Sequence, residues 1–500
     1  MRTMISLNAI LPAPRISAFE EGKHWILPDQ NITIALHCPQ TWLHRVIHAA
    51  NSLLRAFPHL EDDHLSWRLD HTRKDAPPLP GEFTMRIVPA LEDRLGFEGY
   101  HLRVADGAVV EAAGPEGLFY GIQTLVQLLQ KEDSGFQFPH CDILDWPAWG
   151  WRGFLLDTGR NFMGLEFLKH QIEAGARYKL NTFHLHLSDY PGWRFQTRAF
   201  PQLATSPFYT QDDLRRLVDY ASSRSVNIVP EIDMPGHCTV FLDAMPHLKC
   251  NNDTMCAGRE EVYETLEVIL SELAEVFPGP YIHIGTDECE PGEGCPNCRA
   301  KLEELGASKD DRLPLMSYFI GRVNQMVNRL GRTAICWNDQ VQAGLPENLI
   351  IQSWLPGSDA PGIAESGWRV INSRAPEVYF DHGTTDGFIP RIWEWSPCEG
   401  QTDISPLLIG GEGEAWHDPP ADEQTILQDL GFYPRLLTLA ERLWTGVEGK
   451  SRGFTEFQAR LLEHKERYFT GLPFPYPGQV DDWKARYEGW TTNRGIWVQK

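Results

Sequence analysis

An α/β chain, with a (β/α)8 barrel as its catalytic domain and a smaller α+β domain ahead of it, is the fold class this sequence predicts. Three observations carry that expectation. From Trp151 onward, short apolar runs alternate with amphipathic stretches in a strand, loop, helix order. The strand-like runs keep ending in carboxylates, histidines or tryptophans, and barrel enzymes place their chemistry at those C-terminal strand ends. The first part of the chain reads differently, as a hairpin followed by a helix.

In the first part, Tyr100 to Val104 and Ala108 to Ala112 alternate as paired strands across Asp106-Gly107, a hairpin signal. Ile122, Leu125, Val126 and Leu129 then recur at helical spacing. Pro139 and the Asp145-Trp146-Pro147 turn mark the crossing into the barrel. The expected division is residues 1–143 for the α+β domain, 144–447 for the barrel, and 448–500 for a helical extension packed on it.

The barrel strands are expected at Gly153 to Asp157, Thr182 to Leu187, Asn227 to Ile232, Tyr281 to Gly285, Thr333 to Trp337, Leu349 to Trp354, Arg369 to Asn372 and Leu407 to Gly410. Helices are expected at Leu165 to Tyr178, Asp212 to Arg224, Arg259 to Phe277, Leu313 to Leu330 and Thr425 to Trp444. The fourth strand, Tyr281-Ile282-His283-Ile284-Gly285, runs into Thr286-Asp287-Glu288. Desolvation and like-charge repulsion at such a strand tip raise at least one carboxyl pKa, which is what a general acid needs. For an isolated Asp-Glu pair, a solvated end or a helix N-terminus is the simpler account. Here the other strand ends supply further polar and aromatic residues to the same rim.

Composition narrows the chemistry. The 500 residues are 42% hydrophobic and 23% charged, an ordinary globular balance. A formal charge of −23 argues against nucleic acid or an anionic membrane surface as partner. Seventeen Trp and fourteen Tyr offer flat apolar faces that suit sugar rings, although core packing is their commoner use. No stretch has the apolar length of a membrane span, and Met1 to Arg15 lacks a sustained apolar core, so a cytoplasmic chain is expected. Ten scattered cysteines agree with that. Cys295-Pro296-Asn297-Cys298, with Cys289 before it and Cys250 and Cys256 upstream, suits a structural zinc site, a disulfide or free thiols equally well.

The strand ends offer Asp157 and Arg160, then His184, His186 and Asp189, then Glu231, Asp233 and His237, then Asp287 and Glu288. Trp337, Asn338 and Asp339 follow, with Trp354, then Tyr379 and Asp381, then Trp416 and Asp418. Carboxylates, aromatics and an arginine without a phosphate-cradling glycine loop point to sugar chemistry. A hydrolytic metal on His184, His186, Asp189 and His237 is the competing account.

Four motifs settle that competition by likeness. They are Trp151-Arg152-Gly153 with Asp157 and Arg160, Asn181 to Asp189 with Gly192-Trp193-Arg194, Pro230-Glu231-Ile232-Asp233-Met234-Pro235-Gly236-His237, and His283 to Glu288. Together they resemble glycoside hydrolase family 20, the β-N-acetylhexosaminidases. The resemblance implies a retaining, exo-acting enzyme with no cofactor and no catalytic metal, cleaving terminal β-linked N-acetylglucosamine or N-acetylgalactosamine from an oligosaccharide or glycoconjugate. The substrate's own acetamido group would act as nucleophile, giving an oxazolinium intermediate. It implies Glu288 as acid and base, Asp287 as the group that orients the acetamide and stabilises the cation, and Tyr379 as donor to the acetamido oxygen. Trp337, Trp354 and Trp416 match the aromatic walls, and Arg152, Asp381 and Asp418 the ring-hydroxyl binders. Asp189 and His237 match groups that tune Glu288.

Thr286, Tyr190 and Asp418 depart from the family pattern, which usually has a small residue, a second Asp and a Glu at those places. Glu412 or Glu414 is the expected compensation for the shorter Asp418. A disaccharide-releasing relative and a catalytically silent sugar-binding barrel are the alternative readings.

Overall fold

The computed structural model describes residues 9–27, 32–57, 65–70, 81–132, 135–250, 254–289, 292, 294–308, 311–341, 344–382, 388–474, 490–493 and 496–499. Eight parallel strands close into a barrel in sequence order: β1 (Trp151–Asp157), β2 (Thr182–His186), β3 (Asn227–Glu231), β4 (Tyr281–His283), β5 (Thr333–Trp337), β6 (Ile350–Ser353), β7 (Arg369–Asn372) and β8 (Leu408–Ala415), with β8 pairing β1. Every strand falls within a residue or two of its expected position except β8, which runs on past Gly410. Its extra length carries Glu412 and Glu414 into the barrel interior.

Strand parity sorts the side chains. In β1, Phe154 and Leu156 join the large apolar core under the helices, while Trp151 turns inward with Val229, Ile335, Ile350 and Ile371. Helices Leu165–Arg177, Gln211–Ser222, Glu260–Val276 and Leu313–Arg329 cover the outside. The helix Gln211–Ser222 begins with a capping box, Thr210 accepting from the Asp213 N–H and Asp213 accepting from the Thr210 N–H. The single helix expected from Thr425 to Trp444 is instead two, Glu423–Asp429 and Phe432–Thr445. Gly431 stands between them at φ 51°, a left-handed turn that ends one helix and starts the next.

Ahead of the barrel lies a mixed sheet ordered Ile16–Ile26, Gly135–Asp145, Tyr100–Val104, Ala108–Ala112, Phe83–Ile87, Ile32–His37 and Leu65–Leu69, with Gln130–Glu132 on its side. The hairpin across Asp106-Gly107 is present, and helices Leu43–Leu54 and Pro115–Leu128 pack together on the sheet. This domain docks under the N-terminal end of the barrel. Asp145, wholly buried, accepts from Tyr100 (2.7 Å), Lys179 (2.9 Å) and the Trp444 indole (3.0 Å).

Arg152 belongs to that junction, and this corrects the expectation that it binds sugar. Its guanidinium pairs with Glu98 at 2.7 Å, donates to the Lys179 carbonyl at 2.8 Å and lies over the rings of Tyr120 and Trp444. As the second residue of β1 it sits about 16 Å below the strand's C-terminal end. Among the described residues of the 448–500 stretch, Phe454–Tyr468 is a helix and Trp490–Asn493 pairs antiparallel with Ile496–Gln499. Arg460 of that helix pairs with buried Glu441 at 2.9 Å and donates to the Ile10 carbonyl, while Arg467 donates to the carbonyls of Gln127 and Leu129. Among the described residues no helix is long and apolar enough to cross a membrane.

Candidate active site

A polar network in the barrel interior sets the floor of the site. Glu231, wholly buried at the end of β3, accepts from the Trp337 indole at 2.9 Å, lies 2.9 Å from His283 Nδ1, and bonds His186. His184 is 2.7 Å from Glu412, which also accepts from the Trp151 indole and from Gln352. Glu414 accepts from Gln352 as well. Glu412 and Glu414 are therefore consumed inside the barrel, and neither replaces a longer acid at position 418. His184 and His186 are likewise engaged with carboxylates of the network, so they brace the tryptophan wall.

Above this floor a cavity of about 180 Å³ is lined by Arg160, His186, Asp189, His237, Asp287, Glu288, Trp337, Trp354, Tyr379, Asp381, His382, Trp416 and Asp418. Every residue expected at the site lies here except Arg152. Arg160 takes its place, one of the strand-end residues to which no role was given. Its guanidinium is 2.7 Å from Asp157, 2.8 Å from Asp189 and 3.1 Å from Asp418, over the Trp416 ring. His382, which carried no recognisable sequence signal, bonds Asp381 at 3.0 Å. A wider cleft of about 720 Å³ opens at the opposite end of the barrel, but its one carboxylate, Glu448, is already paired with Arg15.

The turn carrying the two acids is tightly wound. Gly285 has φ 65°, and a side chain there would strike the Asp233 carboxylate. Thr286 at φ 84° and Glu288 at φ 46° hold left-handed conformations that non-glycine residues rarely adopt, a form of strain concentrated at functional sites. Asp339 fastens the turn, accepting the Glu288 N–H at 2.9 Å and the Trp354 indole at 2.6 Å. Tyr190 packs over His237, with ring centroids 4.4 Å apart.

His237 governs the electrostatics. Its Nε2 lies 3.5 Å from both Asp287 and Glu288, and its Nδ1 lies 3.3 Å from Asp189. Burial works against its charge, but Asp287 and Asp189 outweigh it and hold the imidazole well above the ordinary histidine range. The hydrogen bond from His237 keeps Glu288 below the ordinary glutamate range. Burial pushes Asp287 the other way, up to about 6. The raised carboxyl of the pair is thus Asp287, since Glu288 keeps 59% of its side chain in solvent. Burial also keeps the Tyr379 phenol protonated, available as a donor.

Comparison with known proteins agrees with this geometry. Residues 149–447 match the family model described as glycosyl hydrolase family 20, catalytic domain, and residues 10–146 match its domain 2. The chain belongs to glycosyl hydrolase family 20. Among family 20 relatives, a β-hexosaminidase of Porphyromonas gingivalis is 32% identical over 447 residues, which is 78% of this chain and 56% of that protein. The chain thus spans little more than half the length of that relative, and 76% of a β-hexosaminidase of Vibrio furnissii to which it is 27% identical over 86% of its own length. In structure it resembles a β-N-acetylhexosaminidase of Bacteroides fragilis, with a TM-score of 0.78 at 27% identity, covering 94% of this chain and 98% of that one. A Streptomyces plicatus β-hexosaminidase variant in complex with product GlcNAc is similar at a TM-score of 0.78 and 25% identity, over 95% and 98% of the two chains.

Proposed function

We propose that this family 20 chain is a retaining, exo-acting β-N-acetylhexosaminidase that removes terminal β-linked N-acetylglucosamine or N-acetylgalactosamine with help from the substrate's acetamido group. The observation that carries the reading is the convergence of Asp287 and Glu288 on one imidazole, His237, at 3.5 Å each. Two carboxylates on adjacent residues, both turned to one imidazole, match the family pattern in which the substrate's own acetamido group supplies the nucleophile. The nucleophile then comes from the substrate.

In this reading the acetamide lies between Asp287 and Tyr379. The phenol O–H donates to the acetamido oxygen, and Asp287 accepts its N–H. As that oxygen attacks C1, the carboxylate of Asp287 stabilises the growing positive charge. Glu288 protonates the leaving oxygen and then takes the proton from the attacking water. Trp337, Trp354 and Trp416 enclose the apolar faces of the sugar, with Trp337 fixed by Glu231 and Trp354 by Asp339. Arg160, Asp381 and Asp418 supply the groups for ring hydroxyls, and Asp189 and His237 set the charge and position of Glu288. A cavity of about 180 Å³ suits one terminal sugar rather than an extended chain. The deciding comparison is hydrolysis of an aryl β-N-acetylglucosaminide against the corresponding 2-hydroxy β-glucoside: strong preference for the former is expected, and equal rates would sink substrate assistance.

A further inference from the structure

Four cysteines stand together outside the catalytic cavity, on two loops that also carry catalytic-site groups. Cys250 and Cys256 lie on the loop after β3, downstream of His237, and Cys295 and Cys298 on the stretch after β4, downstream of Glu288. All four are buried, at 5%, 0%, 5% and 0% exposure. Their sulfurs all lie within 4.8 Å of one another, and three separations, Cys250 to Cys298, Cys256 to Cys295 and Cys256 to Cys298, are each 3.6 Å. Cys289, next to the general acid, stands outside this group, its thiol directed to the Thr286 carbonyl.

We propose that Cys250, Cys256, Cys295 and Cys298 form a structural zinc site of the four-thiolate kind. A tetrahedron with Zn–S bonds of about 2.3 Å has edges of about 3.8 Å, close to the spacing found here and far from the roughly 2.05 Å of a disulfide. Cys256 is equally near two partners, and so is Cys298, so the sulfurs form a shared cluster with no preferred pair. The backbone is built around it. An antiparallel bridge between Lys249 and Met255, with the Cys250 N–H donating to the Thr254 carbonyl and the Cys256 N–H to the Leu248 carbonyl, turns the first two sulfurs to the same side. The second two open the helix Pro296–Glu304, whose N-terminal dipole favours thiolates. Gly258 rests on the Asn297 carbonyl so closely that any side chain there would overlap it. The Gly258 N–H also donates to the Cys256 sulfur, as the groups around metal thiolates commonly do.

The metal would tie the two loops together beside the site without touching substrate. Gly236, one residue before His237, already packs on the Cβ of Cys289, so the loops are in contact at the catalytic end as well. Zinc would fix the far end and thereby the approach of His237 to Glu288.

Metal analysis of the purified full-length chain is expected to find one zinc per chain, released by an organomercurial as four thiols react. Cobalt supplied in place of zinc should give the intense visible bands of a tetrahedral thiolate site and leave kcat unchanged, because the metal is remote from the reacting atoms. Cys298→Ser should lose those bands. If that variant fails to accumulate, the cobalt spectrum of the unaltered chain decides alone. Folded, active protein without zinc, iron in its place, or cysteines found as disulfides would overturn the assignment, and a kcat that followed the identity of the metal would overturn its structural role.

Discussion

The imidazole of His237 stands 3.5 Å from the carboxylate of Glu288 through Nε2, and this contact favours the charged form of the proposed general acid. The proton of the pair rests instead on Asp287, whose carboxyl titrates at about 6. Turnover needs one proton and one charge on the pair. Raising the pH through about 6 removes the last proton and lowers kcat/KM, and lowering it below the Glu288 value adds a second proton and lowers it again. A bound sugar is expected to cover Glu288, raise its pKa by desolvation and return the proton to it. The alkaline limb of kcat is therefore expected at higher pH than that of kcat/KM. Parallel pH profiles check this, and coincident limbs would refute the transfer.

The two acids should separate by leaving group. Glu288→Gln keeps the shape but removes the transferable proton, costing kcat about 10²-fold or more on poor leaving groups and much less on activated aryl groups. Asp287→Asn removes the charge that stabilises the oxazolinium ion and should slow every substrate by a similar factor. The measurement is kcat/KM across a series of aryl substrates of graded acidity. Equal slopes for both variants would show that the roles are misassigned.

Arg160, and not Arg152, should carry the ring-hydroxyl part. Arg160→Gln is expected to lower kcat/KM by about 10²-fold in each folded molecule, for the loss of charged hydrogen bonds worth about 1.5–3 kcal/mol each, and also to lower the melting temperature, because Asp157 and Asp189 stay buried without their cation. Arg152→Gln leaves Glu98 and the Lys179 carbonyl unmatched at the domain junction. It should destabilise by about 3 kcal/mol while each folded molecule turns over normally. Thermal melts beside active-site-titrated rates distinguish the two, and an inactive but stable Arg152→Gln would return that residue to the site.

His464 makes the docking of the C-terminal helix acid-sensitive. It donates from Nε2 to the Ala9 carbonyl at 2.7 Å and accepts at Nδ1 from the Tyr178 hydroxyl at 2.9 Å, a pattern only the neutral ring satisfies. Burial drives its pKa down to about 3 from the ordinary value of about 6.5. A depressed folded-state value contributes stability that is complete above about pH 6.5 and is lost as the pH falls toward 3, by about 1 kcal/mol per unit. Hydrogen exchange in residues 9–13 and 454–468 should quicken, after correction for intrinsic rates, between pH about 7.5 and about 5. His464→Gln, which does not titrate, should abolish that dependence, and an unchanged dependence would place the acid sensitivity elsewhere.

Much of the fold was legible because a barrel strand buries both faces and reads as a short apolar run bounded by loops. Thr333–Trp337 and Arg369–Asn372 stand where the sequence places them. Boundaries slipped where a single residue set the backbone: Gly431 reads as a tolerated glycine inside a helical pattern until its left-handed φ divides the helix. The site residues are legible by likeness of motif, but the first motif holds two arginines and only one lines the cavity. Arg152 and Arg160 are eight residues apart in one motif, and only the direction of β1 shows which reaches the cavity.

By itself, then, the sequence determined the barrel, the domain ahead of it, and the acids, tyrosine and tryptophans that meet at the strand ends, because period and motif are properties of neighbouring residues. The tertiary structure alone decided what depends on contacts distant in the chain. Glu412 and Glu414 are consumed by His184 and Gln352, four cysteines from two loops come within bonding reach of one metal, and Asp287 rather than Glu288 keeps the proton. In each case the deciding quantity is the field or the spacing set by groups tens to hundreds of residues away, and no local pattern records it.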